Sequence, residues 1–137
     1  MATLQTAEGL QVRGLEVSDL AVTNTGAANA AVTLTIPAAG VGLFHYITSL
    51  VIQRAGAAAL AGTAALVITT TNLPGAIAFS VGNACAAGGT NNDVNLALAG
   101  NPLKSSVANT NTTIVCPVPG AGVLWRITCT YFAKAGI

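Results

Sequence analysis

The chain has 137 residues and a formal net charge of +1, and only 7% of its residues are charged although 53% are hydrophobic. A soluble domain usually carries about 25% charged residues, and a net charge near zero promotes association. The length suits one domain, and the composition predicts a surface that other proteins largely cover. So few basic residues also argue against nucleic-acid binding, which depends on neutralising phosphates.

The high hydrophobic content does not predict a membrane protein. The best candidate span, Ala55–Ile68, is mainly Ala and Gly and is only 14 residues long, whereas a spanning helix needs about 20 apolar residues. Because no basic region followed by an apolar run is visible after Met1, we expect no secretory signal. The three cysteines, Cys85, Cys116 and Cys129, are an odd number and cannot form a complete disulfide set. We therefore expect buried thiols in a protein made in a reducing cytoplasm.

The first 22 residues differ from the rest of the chain. They contain four of the nine charged residues and three aliphatic pairs, and Gly9 and Gly14 interrupt any helix. Two interpretations stay open: a leader with an edge strand, or an extended arm that docks on a neighbouring subunit. We accordingly divide the chain into residues 1–22 and a single domain at 23–137. The arm interpretation predicts these contact residues: Leu10, Val12, Arg13, Leu15 and Val17.

Further along the chain, apolar residues alternate with Thr and Asn, which is the pattern of half-buried strands. Asn72, Pro74 and Gly75 give a strong turn signal. The predicted strands are Val32–Ile36, Phe44–Arg54, Leu66–Thr71, Ile77–Val81, Val94–Leu98, Thr112–Cys116 and Val123–Tyr131. The last is the clearest, because one face is apolar and includes Trp125 while the other includes Arg126.

Seven or eight strands without a helical period favour an all-β fold in which two antiparallel sheets pack together. We predict a β-sandwich of the jelly-roll type with about eight strands and an extended N-terminal arm. An immunoglobulin-like sandwich is the alternative, but the cysteine and tryptophan spacing of antibody domains is missing.

Two segments of the sequence resemble each other, namely Thr35–Thr48 and Pro119–Thr128. Each has a proline, an Ala/Gly turn and a strand that begins near an aromatic residue. With one deletion in the alignment, they predict two equivalent hairpins. We expect these proline–glycine corners to contact neighbouring subunits, through Pro37, Val41 and Pro119.

The residues that carry chemistry are sparse and scattered. His45 is the only histidine; a dyad with Cys85 or Cys116 stays open, but a mid-strand position favours a sheet-surface or interface histidine. The cysteine spacings match no zinc pattern. Trp125 is predicted to pack in the core, although an exposed tryptophan could bind a sugar ring. We expect no catalytic, cofactor-binding or metal-binding residues, and so a protein that is not an enzyme.

Three segments, Pro37–Arg54, Thr69–Gly75 and Gly100–Thr130, resemble small virion proteins of tailed bacteriophages. Those proteins are head decoration, or cement, proteins. The resemblance implies a jelly roll that self-associates as a dimer or trimer. It also implies binding to the outside of the major capsid protein lattice, where the protein clamps neighbouring subunits against internal DNA pressure. The expected location is the capsid exterior, after synthesis in the host cytoplasm. A tail or fibre component and a carbohydrate-binding β-sandwich are the alternatives.

Overall fold

The computed structural model describes residues 19–57, 59 and 64–136 of the chain. Nine strands and one 3-10 turn, Pro74–Ala76, form within these residues. The strands are β1 (Leu20–Thr25), β2 (Val32–Ile36), β3 (Leu43–Gly56), β4 (Ala65–Thr71), β5 (Ala78–Gly82), β6 (Thr90–Ala97), β7 (Leu103–Lys104), β8 (Thr112–Cys116) and β9 (Val123–Ala135).

The strands form two antiparallel sheets. The larger sheet has the order β1-β9-β3-β6, with the short β7 also paired to β3, and the smaller sheet has the order β2-β8-β4-β5. The strand pairs are nested: β1 pairs with β9, β2 with β8, β3 with β6, and β4 with β5. A long antiparallel ribbon that is rolled up in this way is a jelly roll. The expected all-β jelly-roll sandwich is therefore confirmed.

The predicted strand boundaries agree best where a proline follows the strand. β2 and β8 have the predicted bounds, and Pro37 and Pro117 follow them directly. β7 was not among the predicted strands. β1 is an edge strand of the larger sheet and overlaps the edge strand left open for residues 1–22, and the proposed division between residues 22 and 23 falls inside it. The proposed arm contacts lie outside the described residues: Leu10, Val12, Arg13, Leu15 and Val17.

The core lies between the sheets and is built from the inward positions of alternating strands. In β2 every second residue is buried, from Val32 to Ile36, while the intervening threonines are exposed. In β9 the same alternation buries Trp125 completely. The main buried cluster includes Leu34, Ile36, Ile47, Leu50, Ile52, Ile68, Ile114, Cys116, Trp125, Ile127 and Cys129.

An internal two-fold relation links the two halves of the sandwich. β8 begins 80 residues after β2, and β9 begins 80 residues after β3. The pairing of β2 with β8 follows the same 80-residue offset. Val32 lies opposite Cys116, and the residues that correspond to these two in the other half, Thr112 and Ile36, also lie opposite each other. With this 80-residue offset, the two segments align without the deletion that the sequence comparison required. The structural equivalent of Pro37 is therefore Pro117 and not Pro119. The segments are also not hairpins within one sheet, since each crosses from the smaller sheet to the larger.

The two crossovers have nearly the same backbone conformation. Gly40 and Gly120 have φ values of 119° and 116°, and Gly42 and Gly122 have values of 74° and 73°. Residues with a Cβ atom rarely adopt these positive values. In each crossover the amide that begins the next strand donates to the carbonyl of the first glycine, Leu43 to Gly40 at 3.0 Å and Val123 to Gly120 at 3.2 Å. The glycines therefore set the turn that takes the chain between sheets.

A β-bulge in β3 breaks the two-fold relation. Ile47 lies opposite Tyr131 and Ser49 lies opposite Thr130, which leaves Thr48 as an extra residue. Because a bulge shifts the alternation by one residue, buried positions before it have odd numbers and those after it, such as Leu50, have even numbers. Thr48 and Ser49 consequently both bond to Thr130, at 2.8 and 2.6 Å between hydroxyl oxygens.

We predict that Gly42→Ala destabilises the fold by about 1–2 kcal/mol, because it forces an L-residue into the left-handed region. A Cβ atom at this position meets no atom within 4 Å, so the cost comes from the backbone alone. Urea denaturation measures the loss. Gly100→Ala is the matched control, since its Cβ also meets open space and its φ is not in the positive range. Equal stability of the two variants would contradict the proposed role of the turn.

Candidate functional site

The proline–glycine corners lie at opposite ends of the sandwich. Because β2 and β8 are antiparallel, the β2–β3 crossover is at one end and the β8–β9 crossover is at the other. Among the predicted contact residues, Pro37 is exposed and Val41 is 92% exposed. Pro119 is buried, and its neighbour Val118 is the exposed apolar side chain of that corner, at 51%.

His45 is a buried residue, and the expectation of a surface or interface histidine is wrong. It is 2% exposed, and both ring nitrogens have hydrogen-bond partners. Nε2 lies 2.9 Å from the carbonyl oxygen of Pro37, so it carries the proton and donates. Nδ1 then accepts from the hydroxyl of Thr112 at 2.8 Å. These bonds satisfy the ring, so neither nitrogen is available as a base toward Cys85 or Cys116.

The histidine belongs to a polar network that closes this end of the sandwich. The Asn72 side-chain amide donates to Thr112 Oγ1 at 3.2 Å and to the carbonyl of Val107 at 3.1 Å. Its Oδ1 accepts from the amide of Val107 at 2.8 Å. Asn72 has a φ of 59°, a conformation that asparagine tolerates better than most residues. The turn signal in the sequence therefore marks a residue that links the β4–β5 turn to the loop before β8.

Burial shifts the pKa values of His45, Cys116 and Cys129. Burial lowers the pKa of His45 below 6.5, against a smaller opposing effect of its bond to Pro37. Burial raises the pKa of both Cys116 and Cys129 to about 12, so these thiols stay protonated at neutral pH and are poor nucleophiles. All three cysteines are free and buried, as the sequence predicted.

Trp125 occupies the position equivalent to His45 in the other half. Its exposure is 0%, and its indole Nε1 donates to the carbonyl of Pro117 at 2.6 Å. Both halves thus use a ring N–H to fix the carbonyl of the corner proline. The predicted core position of Trp125 is confirmed, and its ring is not accessible for stacking on a sugar. Arg126 is exposed on the opposite face, as predicted.

A buried ion pair organises the loop between β5 and β6. Arg54 is 1% exposed and donates to both carboxylate oxygens of Asp93, at 2.6 and 2.8 Å. Its remaining donors reach the carbonyls of Gly82 at 2.6 Å and Asn83 at 3.0 Å. The bonds to Asp93 raise the pKa of Arg54. Since these hydrogen bonds go to one carboxylate and to carbonyls of residues 82–84, Arg54 holds the loop in place.

An apolar cavity of about 220 Å³ lies between the sheets near their β5 and β6 edges. It could hold a group larger than benzene, which fits an engineered cavity of about 150 Å³. However, small-molecule sites normally include a few polar groups that orient the ligand, and this lining has none. It consists of Ile47, Leu50, Leu73, Ile77, Phe79, Leu96, Leu98, Leu103 and Ile114. The cavity does not define a specific ligand.

The end of the sandwich near the β8–β9 crossover has an open concavity of about 360 Å³, and none of the described residues that line it is charged. We call it the glycine–alanine end, and it is lined by Ala28, Ala55, Gly56, Ala57, Gly88, Gly89, Thr90, Gly122 and Leu124. Backbone bonds fix its shape: Gly88 donates to Gly56 at 2.7 Å, and Ala57 donates to Gly122 at 2.8 Å. A preformed surface of this kind loses little conformational entropy on binding a protein.

The fold and these contacts define the chain as a jelly-roll β-sandwich whose histidine and buried arginine serve its own packing. Comparison with protein-family models, curated proteins and solved structures finds no match. Within residues 19–57, 59 and 64–136 there is no group of three or more metal-ligating side chains. No helix in this described part is long and apolar enough to cross a membrane.

We predict that the protein loses stability as the pH falls below about 6.5. The folded-state pKa of His45 lies below its ordinary value of 6.5, so the unfolded chain binds a proton that the folded chain does not. Stability is complete above 6.5 and declines toward the folded-state pKa, by at most about 1.4 kcal/mol per pH unit. Urea denaturation at pH 7.5 and 5.0 measures the decline.

His45→Asn is the control for this pH dependence. It removes the only histidine, and carboxylates titrate mostly below about pH 5. The variant should be less stable at pH 7.5 but nearly independent of pH between 7.5 and 5.0. An equal decline in both proteins would show that another group causes it.

We predict that Asp93→Asn costs about 3–5 kcal/mol of stability, because it leaves the buried Arg54 charge without its partner. Chemical denaturation gives the value, and hydrogen exchange should show faster opening of the β5–β6 loop. Asn95→Asp is the control, since Asn95 is an exposed residue of the same strand and should change stability by about 0.5 kcal/mol or less. A cost below about 1 kcal/mol for Asp93→Asn would refute the structural role of the pair.

Proposed function

We propose that this chain is a structural virion protein that binds the outside of a major capsid protein lattice and cements neighbouring subunits. The glycine–alanine end carries the proposal. It is a concave surface with no charged residue among its described lining residues, so a protein partner can cover these residues without the cost of desolvating a charge. The segment resemblance to tailed-phage decoration proteins supplies the capsid as the partner.

The positions of the two crossovers support a bridging role. They lie at opposite ends of the sandwich, and β3, which runs between the ends, has 14 residues, or roughly 45 Å of strand. One molecule can therefore contact two subunits that are well separated. Each corner presents an exposed valine, Val41 or Val118. Several weak contacts of this type add up through effective concentration, and self-association into a dimer or trimer would multiply them further.

This function does not require the catalytic chemistry of a side chain. His45 and Arg54 satisfy their hydrogen-bonding groups inside the fold. The carbohydrate-binding alternative loses its main candidate, because Trp125 is fully buried. A tail or fibre component, like a cement protein, needs only surfaces that bind other proteins. Binding to purified heads or to purified tails therefore distinguishes the two functions.

We predict that Ala28→Glu combined with Ala57→Glu weakens binding to undecorated heads about tenfold or more, because two carboxylates would be buried without partners. Both alanines are exposed in the isolated chain, so the fold should tolerate the change. Co-sedimentation with purified heads measures the affinity, and capsid heat resistance measures the cementing effect.

Ala78→Glu is the matched control, since Ala78 is an exposed strand residue on the smaller sheet and lies outside the glycine–alanine end. It should bind as the unmodified protein does. If all three proteins bind equally, the glycine–alanine end is not the contact. If the unmodified protein binds purified tails and not heads, the tail component replaces the cement protein. Binding to neither particle overturns the proposal.

A further inference from the structure

The apolar cavity between the two sheets extends from the core to one edge of the sandwich. Its inner wall includes Ile47, Leu50 and Ile114, which are at most 3% exposed. Its outer wall includes Phe79 of β5 and Leu96 of β6, which are half-buried. Among the described strands, β5 is at the edge of the smaller sheet and β6 is at the edge of the larger sheet. A small molecule can therefore reach the cavity between these two edge strands.

The outer wall uses its backbone polar groups in hydrogen bonds within the chain. The carbonyl of Ile77 accepts from the hydroxyl of Thr70 at 2.6 Å. The amide of Leu98 donates to the carbonyl of Thr48 at 2.7 Å, and the carbonyl of Leu98 accepts from the amide of Asn101 at 3.0 Å. These bonds hold both lining residues in place and satisfy the groups that could otherwise bind a polar ligand. A ligand in the cavity therefore contacts apolar side chains.

The composition of the lining selects ligands by their polarity. Every described residue that lines the cavity is Ile, Leu or Phe. A polar or charged group that entered would lose its hydrogen bonds to water, and these side chains offer none in return. A hydrocarbon has no such bonds to lose, and it gains from the removal of its apolar surface from water. The class of ligand that fits this lining is therefore an uncharged hydrocarbon.

The volume of the cavity sets the size of the ligand. Protein interiors are close-packed, and few of their voids are larger than a water molecule, so a cavity of about 220 Å³ is more than a packing gap. Benzene, which has six carbon atoms, binds in an engineered apolar cavity of about 150 Å³. In the same proportion, the cavity of this chain holds about nine carbon atoms.

We propose that the cavity between the sheets binds a small uncharged hydrocarbon of about nine carbon atoms. The inner end of the ligand contacts Ile47, Leu50 and Ile114, and its outer end lies between Phe79 and Leu96. The site shares no lining residue with the glycine–alanine end. The inference is therefore independent of the capsid proposal, and either can fail without the other.

Two bicyclic compounds of matched shape test the site. Indene has nine carbon atoms, and benzimidazole has the same ring system with two nitrogens. Titration of the full chain at pH 7.5, followed by NMR of the Ile and Leu methyl groups, measures binding. Indene should shift the methyl signals of Ile47, Leu50 and Ile114 with a Kd of about 1 mM or lower. Benzimidazole should bind at least tenfold more weakly, because its nitrogens would be buried without partners.

A larger side chain in the wall should exclude the ligand. Leu98→Trp fills the outer part of the cavity and should weaken indene binding at least tenfold. Ile77→Phe fills the cavity from the side of β5 and gives a second test if Leu98→Trp does not fold. Val67→Trp is the matched control, since Val67 is 47% exposed on the outer face of the smaller sheet. It should bind indene as the unmodified protein does.

Four results would overturn the proposal. The first is the absence of a saturable shift of the cavity methyl signals with indene. The second is equal binding of indene and benzimidazole, and the third is unchanged indene binding in the folded filling variants. The fourth is an indene affinity that falls as the protein concentration rises, together with a dimer in light scattering. In that case a side chain from a second copy, and not a small molecule, is the occupant of the cavity.

Discussion

The pairing of β3 with β9 is the interaction on which the rest of the structure depends. These are the two longest strands, and they remain paired from Leu43–Ala135 to Gly56–Val123. Every other strand of the larger sheet attaches to one of them. Each crossover also begins at a strand of the smaller sheet and ends at β3 or β9. The central ladder therefore fixes the distance between the ends, the position of both corners and the inner face of the core.

The two halves around this ladder share a backbone design but differ in chemistry. At one end the ring that binds the corner carbonyl is an imidazole, and at the other it is an indole. Only the imidazole can change its charge between pH 5 and 8. The Asn72 network lies at the histidine end. The Arg54–Asp93 pair lies near Trp125 at the other end, where the guanidinium carbon of Arg54 is 5.3 Å from the centroid of the Trp125 ring. One end thus relies on neutral hydrogen bonds and the other on a buried charge pair.

The fold could be predicted from the sequence because, in most strands, the alternation of apolar and polar residues matches the alternation of buried and exposed side chains. β2 and β8 alternate clearly, and a proline follows each. β1 was foreseen only as an alternative, without bounds, because its side chains are nearly all exposed. β7 was missed because it has two residues. The buried state of His45 was not predictable, since Thr112 is 67 residues away in sequence. The same holds for Arg54, whose partner Asp93 is 39 residues away. The cavity likewise depends on which strands become neighbours.

The bulge at Thr48 has a consequence for how the chain chooses a single fold. Two halves with matching crossovers offer alternative pairings, including one in which β3 and β9 pair one residue out of register. A single extra residue in β3, and none at the equivalent place in β9, removes this degeneracy. It also places Thr48 where Asp19 can bind it. The irregular residue therefore distinguishes one half of a nearly symmetric molecule from the other, and Asp19 accepts a hydrogen bond from it.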